Sequence, residues 1–144
     1  LHVSGTLDWL DIEKRVTGLP DTYHAFPYLH GDMGLAFAAA DLVVSRAGAS
    51  VLGELPYFGL AAILVPYPHA WRYQQVNADY LSSRGAAIRL NEERLVADLL
   101  PIIRGLRHDP ARLAEMRARA TALAQPDGAG RITAELIQLA GGGA

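Results

Sequence analysis

The sequence contains no cysteine, which excludes disulfides and thiolate metal sites. Long apolar runs are also missing. None approaches the ~20 residues that a membrane-spanning helix needs, and the amino end shows no basic stretch leading into an apolar one. The histidines, His2, His24, His30, His69 and His108, lack metal-ligand spacing and read as ordinary hydrogen-bonded residues. Neither a serine nucleophile elbow nor a lysine-containing phosphate loop occurs. Lysine itself is nearly absent: twelve of the thirteen basic residues are arginine, a bias we attribute to the genome rather than to chemistry. A formal net charge of -2 exerts no global pull toward nucleic acid or anionic lipid. The five arginines between Arg104 and Arg119 read as the solvated face of helices.

What the chain does contain is a repeating order. Its 144 residues, 51% of them hydrophobic, suffice for a single domain over residues 1–144 that buries roughly two-thirds of its unfolded surface. Short β-rich apolar runs alternate with longer helical patterns, the ordering of βα units around a parallel sheet. "LHV" at Leu1 predicts a strand, Leu10 to Thr17 a helix ended by Gly18 and Pro20, and "YHAF" at Tyr23 a weaker strand. Asp32 is placed to cap a helix from Met33 to Ala39 with its carboxylate. "LVVS" at Leu42, "AILV" at Ala62 and "AIRL" at Ala87 are the continuous apolar runs of strands covered on both faces. Helices are predicted between them, from Ala49 to Phe58 and from Arg72 to Arg84. Each is closed by a glycine, Gly59 and Gly85, where a helix end commonly turns left-handed. Beyond Asn91 the pattern stays helical, with Asp109 as a cap, Pro110 at a first helical position, and Pro101 expected to kink or split its helix. "PDGAG" at Pro126 marks a break before a last helix, Arg131 to Leu139, and "GGGA" a frayed tail. Leu1 in place of methionine suggests a fragment or a processed chain.

In an open parallel sheet, ligands bind beyond the carboxyl ends of the strands, where loops lead into helix amino termini. Two such loops carry polar residues here. In "ADLVVSRAGASVLGE", Ala40 to Glu54, Gly48 permits close backbone approach. The amides of Ala49, Ser50 and Val51 would point outward with the positive end of the helix dipole, a geometry suited to a phosphate or diphosphate. Glu54 follows one turn beyond Ser50 on the same face, where a carboxylate can accept from both hydroxyls of a ribose. The same spacing also fits a solvent-facing glutamate and a glycine kept for packing. In the second loop, "VPYPHAWRYQQVNA", Pro66 and Pro68 stiffen the strand exit so that His69, Ala70 and Trp71 cross the top of the sheet. Trp71 and Tyr73 either stack on a ligand or anchor the loop. Gln74 and Asn77 are three apart and share a helix face. Amides that both donate and accept suit sugar hydroxyls, and equally an ordinary polar helix surface with Gln75 and Asp79 beside it.

Together, "ADLVVSRAGASVLGE" and "AILVPYPHAWRYQQVNADYLSSRGAAIRL" strongly resemble the carboxy-terminal domain of the MurG-like GT-B glycosyltransferases, the N-acetylglucosaminyltransferases of peptidoglycan precursor synthesis. The resemblance runs from about Leu1 to the last helix and is densest between Asp32 and Leu90. It implies an α/β fold, a Rossmann-like parallel sheet flanked by helices, as the C-terminal half of a GT-B enzyme whose two domains face a cleft. It implies diphosphate contacts at Gly48, Ala49 and Ser50, and a ribose carboxylate at Glu54. Sugar-hydroxyl contacts are implied at Gln74 and Asn77, with Gln75 as a neighbour, and uracil contacts at His30 and Met33 within "YLHGDM". Two departures from the family pattern stand out. Pro56 lies inside the donor helix, where it is expected to leave the Leu52 carbonyl unpaired and to shorten or bend that helix. Ala61 stands where the family usually has proline.

On this resemblance the chain is expected to bind UDP-N-acetylglucosamine for inverting transfer of the hexosamine to a lipid-linked acceptor. Helix-dipole and amide contacts would stabilise the departing UDP, with no metal or cofactor. The family's N-terminal acceptor domain and first glycine-rich loop are absent from this sequence, no catalytic base is assigned, and the chain alone is expected to be inactive. The implied location is cytoplasmic, peripheral to the inner face of the cell membrane, with no nucleic-acid partner. Two other readings stay open: a non-catalytic nucleotide-sugar-binding subunit that needs a partner chain, and a related UDP-sugar epimerase.

Overall fold

The computed structural model describes residues 1–69 and 72–141, and the chain divides into two compact units, Leu1–Ala40 and Asp41–Ala144. In the first, β1 (His2–Val3) lies parallel to β2 (Ala25–Phe26), with His2 opposite Ala25 and Val3 opposite Phe26. Between them, α1 (Trp9–Val16) keeps Trp9, Ile12 and Val16 half-buried at helical spacing and turns Asp11, Glu13, Lys14 and Arg15 outward. The last element of this unit, α2 (Met33–Ala39), has the bounds its sequence predicts, but Asp32 does not cap it with its carboxylate. Asp32 sits at φ -94°, ψ 0°, away from the extended backbone from which an N-cap side chain folds back onto the first-turn amides. Only its carbonyl engages the helix, accepting from the Ala36 N–H at 3.0 Å.

The second unit holds the buried core. β3 (Leu42–Ser45), β4 (Ala61–Leu64) and β5 (Ala87–Arg89) form a parallel sheet in that order, ending in register at Ser45, Leu64 and Arg89. Every residue of the central strand β4 is buried, as its unbroken apolar run requires. Ala61, Ile63 and Val65 alternate onto one face and pack with Leu90, Leu106 and Met116. The last two come from α5 (Leu95–His108) and α6 (Pro110–Ala122). Each large aliphatic side chain so buried stabilises the fold by about 1.5–3 kcal/mol. α3 (Val51–Tyr57) crosses from β3 to β4, α4 (Tyr73–Ser82) crosses from β4 to β5, and α7 (Gly128–Gly141) ends the described chain.

Helix punctuation follows the sequence at most ends and departs from it at others. Gly59 and Gly85 take φ 61° and 75° after α3 and α4. Asp109 caps α6 through a 3.0 Å bond from the Arg112 N–H to its carboxylate, and Pro110 is the first helical residue. Pro101, by contrast, neither splits nor ends α5, which runs unbroken through it. Pro101 and Ala97, the residue whose carbonyl loses a partner, are both exposed, so water replaces the missing N–H and the cost is small. α3 is shorter than the predicted Ala49 to Phe58, and Pro56 lies within it with its ring fully buried. α7 begins at Gly128 rather than Arg131. Of the predicted loop and tail, Ala70, Trp71 and residues 142–144 lie outside the described residues.

Candidate functional site

Because β3, β4 and β5 end in register, the segments that begin at Arg46, Val65 and Leu90 emerge side by side at one edge of the sheet. The ladder continues one residue further, with Val65 N–H donating to Ser45 O and Leu90 N–H to Leu64 O, each at 2.9 Å. Ala47 is fully buried, and the chain then surfaces through half-buried Gly48 to exposed Ala49 and Ser50. Leu52 and Gly53 donate back to the carbonyls of Ala49 and Ser50 at 3.2 and 3.0 Å, so the turn winds into α3 through three-residue bonds. Among the described residues the amides of Gly48, Ala49, Ser50 and Val51 have no acceptor. They are the unsatisfied donors that every helix start leaves, and Ser50 does not cap them with its side chain. A Cβ at Gly48 would meet nothing within 4 Å, so the chain's own packing does not demand glycine there. Glu54 lies in the first turn of α3, exposed, and its carboxylate bonds to no described residue.

The amide side chains of α4 reach the two neighbouring loops. Gln74 Oε1 accepts from the Tyr67 N–H at 2.9 Å, and Asn77 Nδ2 donates to the Ala47 carbonyl at 2.9 Å. Each backbone partner dictates which end of the amide faces it. Gln74 Nε2 and Asn77 Oδ1 are thereby left without a partner among the described residues. Gln75 is exposed and lines a cleft of ≈ 120 Å³ with Pro66, Pro68, Arg89, Asn91 and Glu92 among others.

A strap not legible in the sequence ties these loops together. Arg46 donates through both terminal nitrogens to the Glu92 carboxylate, which follows β5, and Nη1 also reaches the Val65 carbonyl at 3.4 Å. Its guanidinium carbon lies 5.4 Å from the centre of the Tyr67 ring. The pairing raises the Arg46 pKa and holds the Glu92 carboxyl below its ordinary range, chiefly through the hydrogen bonds between them. Arg46 lies within the strand-to-helix stretch from Ala40 to Glu54, but Glu92 carried no local signal.

His30 and Met33 belong to the first unit. His30 is exposed, its ring 4.7 Å from that of Tyr28, and Met33 is half-buried at the start of α2. Tyr73 is exposed at the start of α4, and Trp71 lies outside the described residues. A larger cavity of ≈ 470 Å³ is lined by none of the predicted site residues. It lies between the end of α4, the start of β5 and α6, among Ser83, Arg84, Arg112, Glu115 and Arg119. Arg84 is engaged there by the Tyr80 carbonyl and ring, and Arg119 by Glu115.

Residues 1–132 match the glycosyltransferase family 28 C-terminal domain. Similar curated proteins include two named UDP-N-acetylglucosamine--N-acetylmuramyl-(pentapeptide) pyrophosphoryl-undecaprenol N-acetylglucosamine transferase. The protein of Roseiflexus sp. (strain RS-1) is 43% identical over 92% of this chain and 35% of its own length. That of Chlorobium limicola is 43% identical over 95% of this chain and 38% of its own length. The crystal structure of Acinetobacter baumannii MurG superposes with a TM-score of 0.81 at 28% identity, over 95% of this chain and 40% of that one. Glycosyltransferase VinC, solved with dTDP, shares the fold with a TM-score of 0.69 at 20% identity, over 92% of this chain and 33% of that one. This chain thus spans about two-fifths or less of the length of these relatives.

Proposed function

Since this chain belongs to the glycosyltransferase family 28 C-terminal domain family, we propose that it is the donor-binding part of an inverting transferase. That enzyme moves N-acetylglucosamine from UDP to a lipid-linked acceptor in peptidoglycan synthesis. The turn with unpaired amides from Gly48 to Val51, followed on α3 by the unpartnered carboxylate of Glu54, is the observation that carries this reading. In it, the amides of Gly48, Ala49 and Ser50 receive the diphosphate and Glu54 accepts from the ribose hydroxyls. Gln74 Nε2 and Asn77 Oδ1 meet the sugar hydroxyls with Gln75 beside them. The amides and the helix dipole stabilise negative charge on the departing UDP.

The acceptor and its activating base belong to the remainder of the full-length protein, which works at the cytoplasmic face of the cell membrane. Attachment in this reading is peripheral; no helix among the described residues is long and apolar enough to cross a membrane. The test is titration of the full-length protein with UDP-N-acetylglucosamine, followed by assay with and without a lipid-linked acceptor. Tight donor binding with transfer only when acceptor is present is the expected result. Conversion of the donor alone assigns the site to an epimerase, and absence of donor binding refutes the reading.

A further inference from the structure

We infer that Asn77 is a positioning residue for the diphosphate turn, holding the Ala47 carbonyl so that the neighbouring amide faces outward. The inference rests on the reading of that turn as the diphosphate site, and gives Asn77 a task separate from any contact its Oδ1 makes with the sugar.

The Ala47 carbonyl and the Gly48 N–H belong to one planar peptide unit and point in opposite directions. Wherever the carbonyl is held, the first amide of the turn is aimed the other way. Helix α3 does not hold it: the Val51 N–H does not reach back to Ala47, and among the described residues the Asn77 side chain is the hydrogen-bond partner of that carbonyl. Gly48 cannot hold it either. Glycine leaves its own backbone torsions broadly permitted. Asn77 itself is well fixed, since it stands on α4 beside buried Ala78 and one turn before buried Leu81. A rigid helix therefore sets the peptide plane at the most permissive point of the turn, and organises the amides before the ligand arrives.

The experiment titrates the full-length protein and its Asn77→Ala and Asn77→Asp variants with UDP and with uridine, which lacks the diphosphate. Asn77→Ala is expected to weaken UDP about three- to tenfold, the effect of one neutral hydrogen bond, and to change uridine less than twofold. Asn77→Asp keeps the side-chain shape but sets a carboxylate oxygen against the carbonyl, and is expected to weaken UDP at least as much. Unchanged UDP affinity with weakened UDP-N-acetylglucosamine would overturn the inference and leave the donor-site reading intact. Equal loss of UDP and uridine, including loss of both through misfolding, overturns it as well, because a general structural role does not select for the diphosphate. Failure of the unmodified protein to bind UDP overturns the reading of the site, and the inference with it.

Discussion

Replacing Glu54 by alanine separates a ligand-facing carboxylate from an ornamental one, because the chain itself has little use for that side chain. Glu54 is exposed and unpartnered among the described residues. The folded state thus loses at most the favourable placement of a negative charge in the first turn of α3, about 0.3–1 kcal/mol. Alanine is at least as good a helix former as glutamate, which offsets part of that loss. A ribose held by the carboxylate makes a larger demand: hydrogen bonds to a charged group contribute about 1.5–3 kcal/mol, roughly ten- to 150-fold in dissociation constant. The assay is a double-mutant cycle that measures UDP and 2′-deoxy-UDP on the full-length protein and on its Glu54→Ala variant. Removing the hydroxyl should weaken binding to the unmodified protein and cost much less once the carboxylate is gone. If the two losses simply add, Glu54 does not hold that hydroxyl. A melting temperature lowered by much more than the dipole contribution would show that the residue serves the fold after all.

Two further outcomes test the architecture around the site. Gly59 closes α3 at φ 61° with a built Cβ only 2.6 Å from Thr121 Oγ1, and its carbonyl accepts from Arg117 of α6; Gly59→Ala should therefore destabilise the protein by about 1–3 kcal/mol, and an unchanged denaturant midpoint would refute that packing. The Arg46–Glu92 pair should contribute stability above the ordinary carboxylate pKa of 4.5 that is lost as pH falls through the lowered pKa of Glu92, while Arg46 stays charged throughout. Comparing denaturant midpoints of the unmodified protein and Glu92→Gln across pH 2–7 checks this, and a difference that persists unchanged at the acid end would refute it.

The parts of the fold that could be read in advance are those whose signal is local. β3 has its predicted bounds and β4 is displaced by one residue, because an unbroken apolar run is a signal that no amphipathic helix would show; the predicted covering on both faces holds for β4, whereas β3 leaves Val44 exposed. Glycines that close helices were equally legible at Gly59 and Gly85, where a positive φ is needed. Prolines were harder to read. The cost of Pro101 depends on whether the carbonyl it frees reaches water, and that of Pro56 on what its buried ring packs against; neither is written in the periodicity. Asp32 shows the same limit at a cap: the residue type was suitable, but backbone angles decided that its carboxylate would not reach the helix.

The candidate site was legible as a set of residue types and illegible as a set of supports, for one physical reason. Gly48, Glu54, Gln74 and Asn77 announce themselves through their positions relative to strand ends and helix starts. The groups that hold the turn are paired across the sheet edge: Asn77 with Ala47, 30 residues apart, and Arg46 with Glu92, 46 residues apart. Both pairings depend on the register that brings Ser45, Leu64 and Arg89 level, and register is a property of the assembled sheet. The same assembly sorts the polar groups into two classes. Arg46, Glu92, Gln74 Oε1 and Asn77 Nδ2 are consumed in fastening one loop to the next. The amides from Gly48 to Val51, the Glu54 carboxylate, Gln74 Nε2 and Asn77 Oδ1 are left over. Of these the amides carry the firmest implication, since no substitution except proline removes a backbone donor, and a fold that leaves several of them unpaired at one turn has to satisfy them from outside, by water or by an anion.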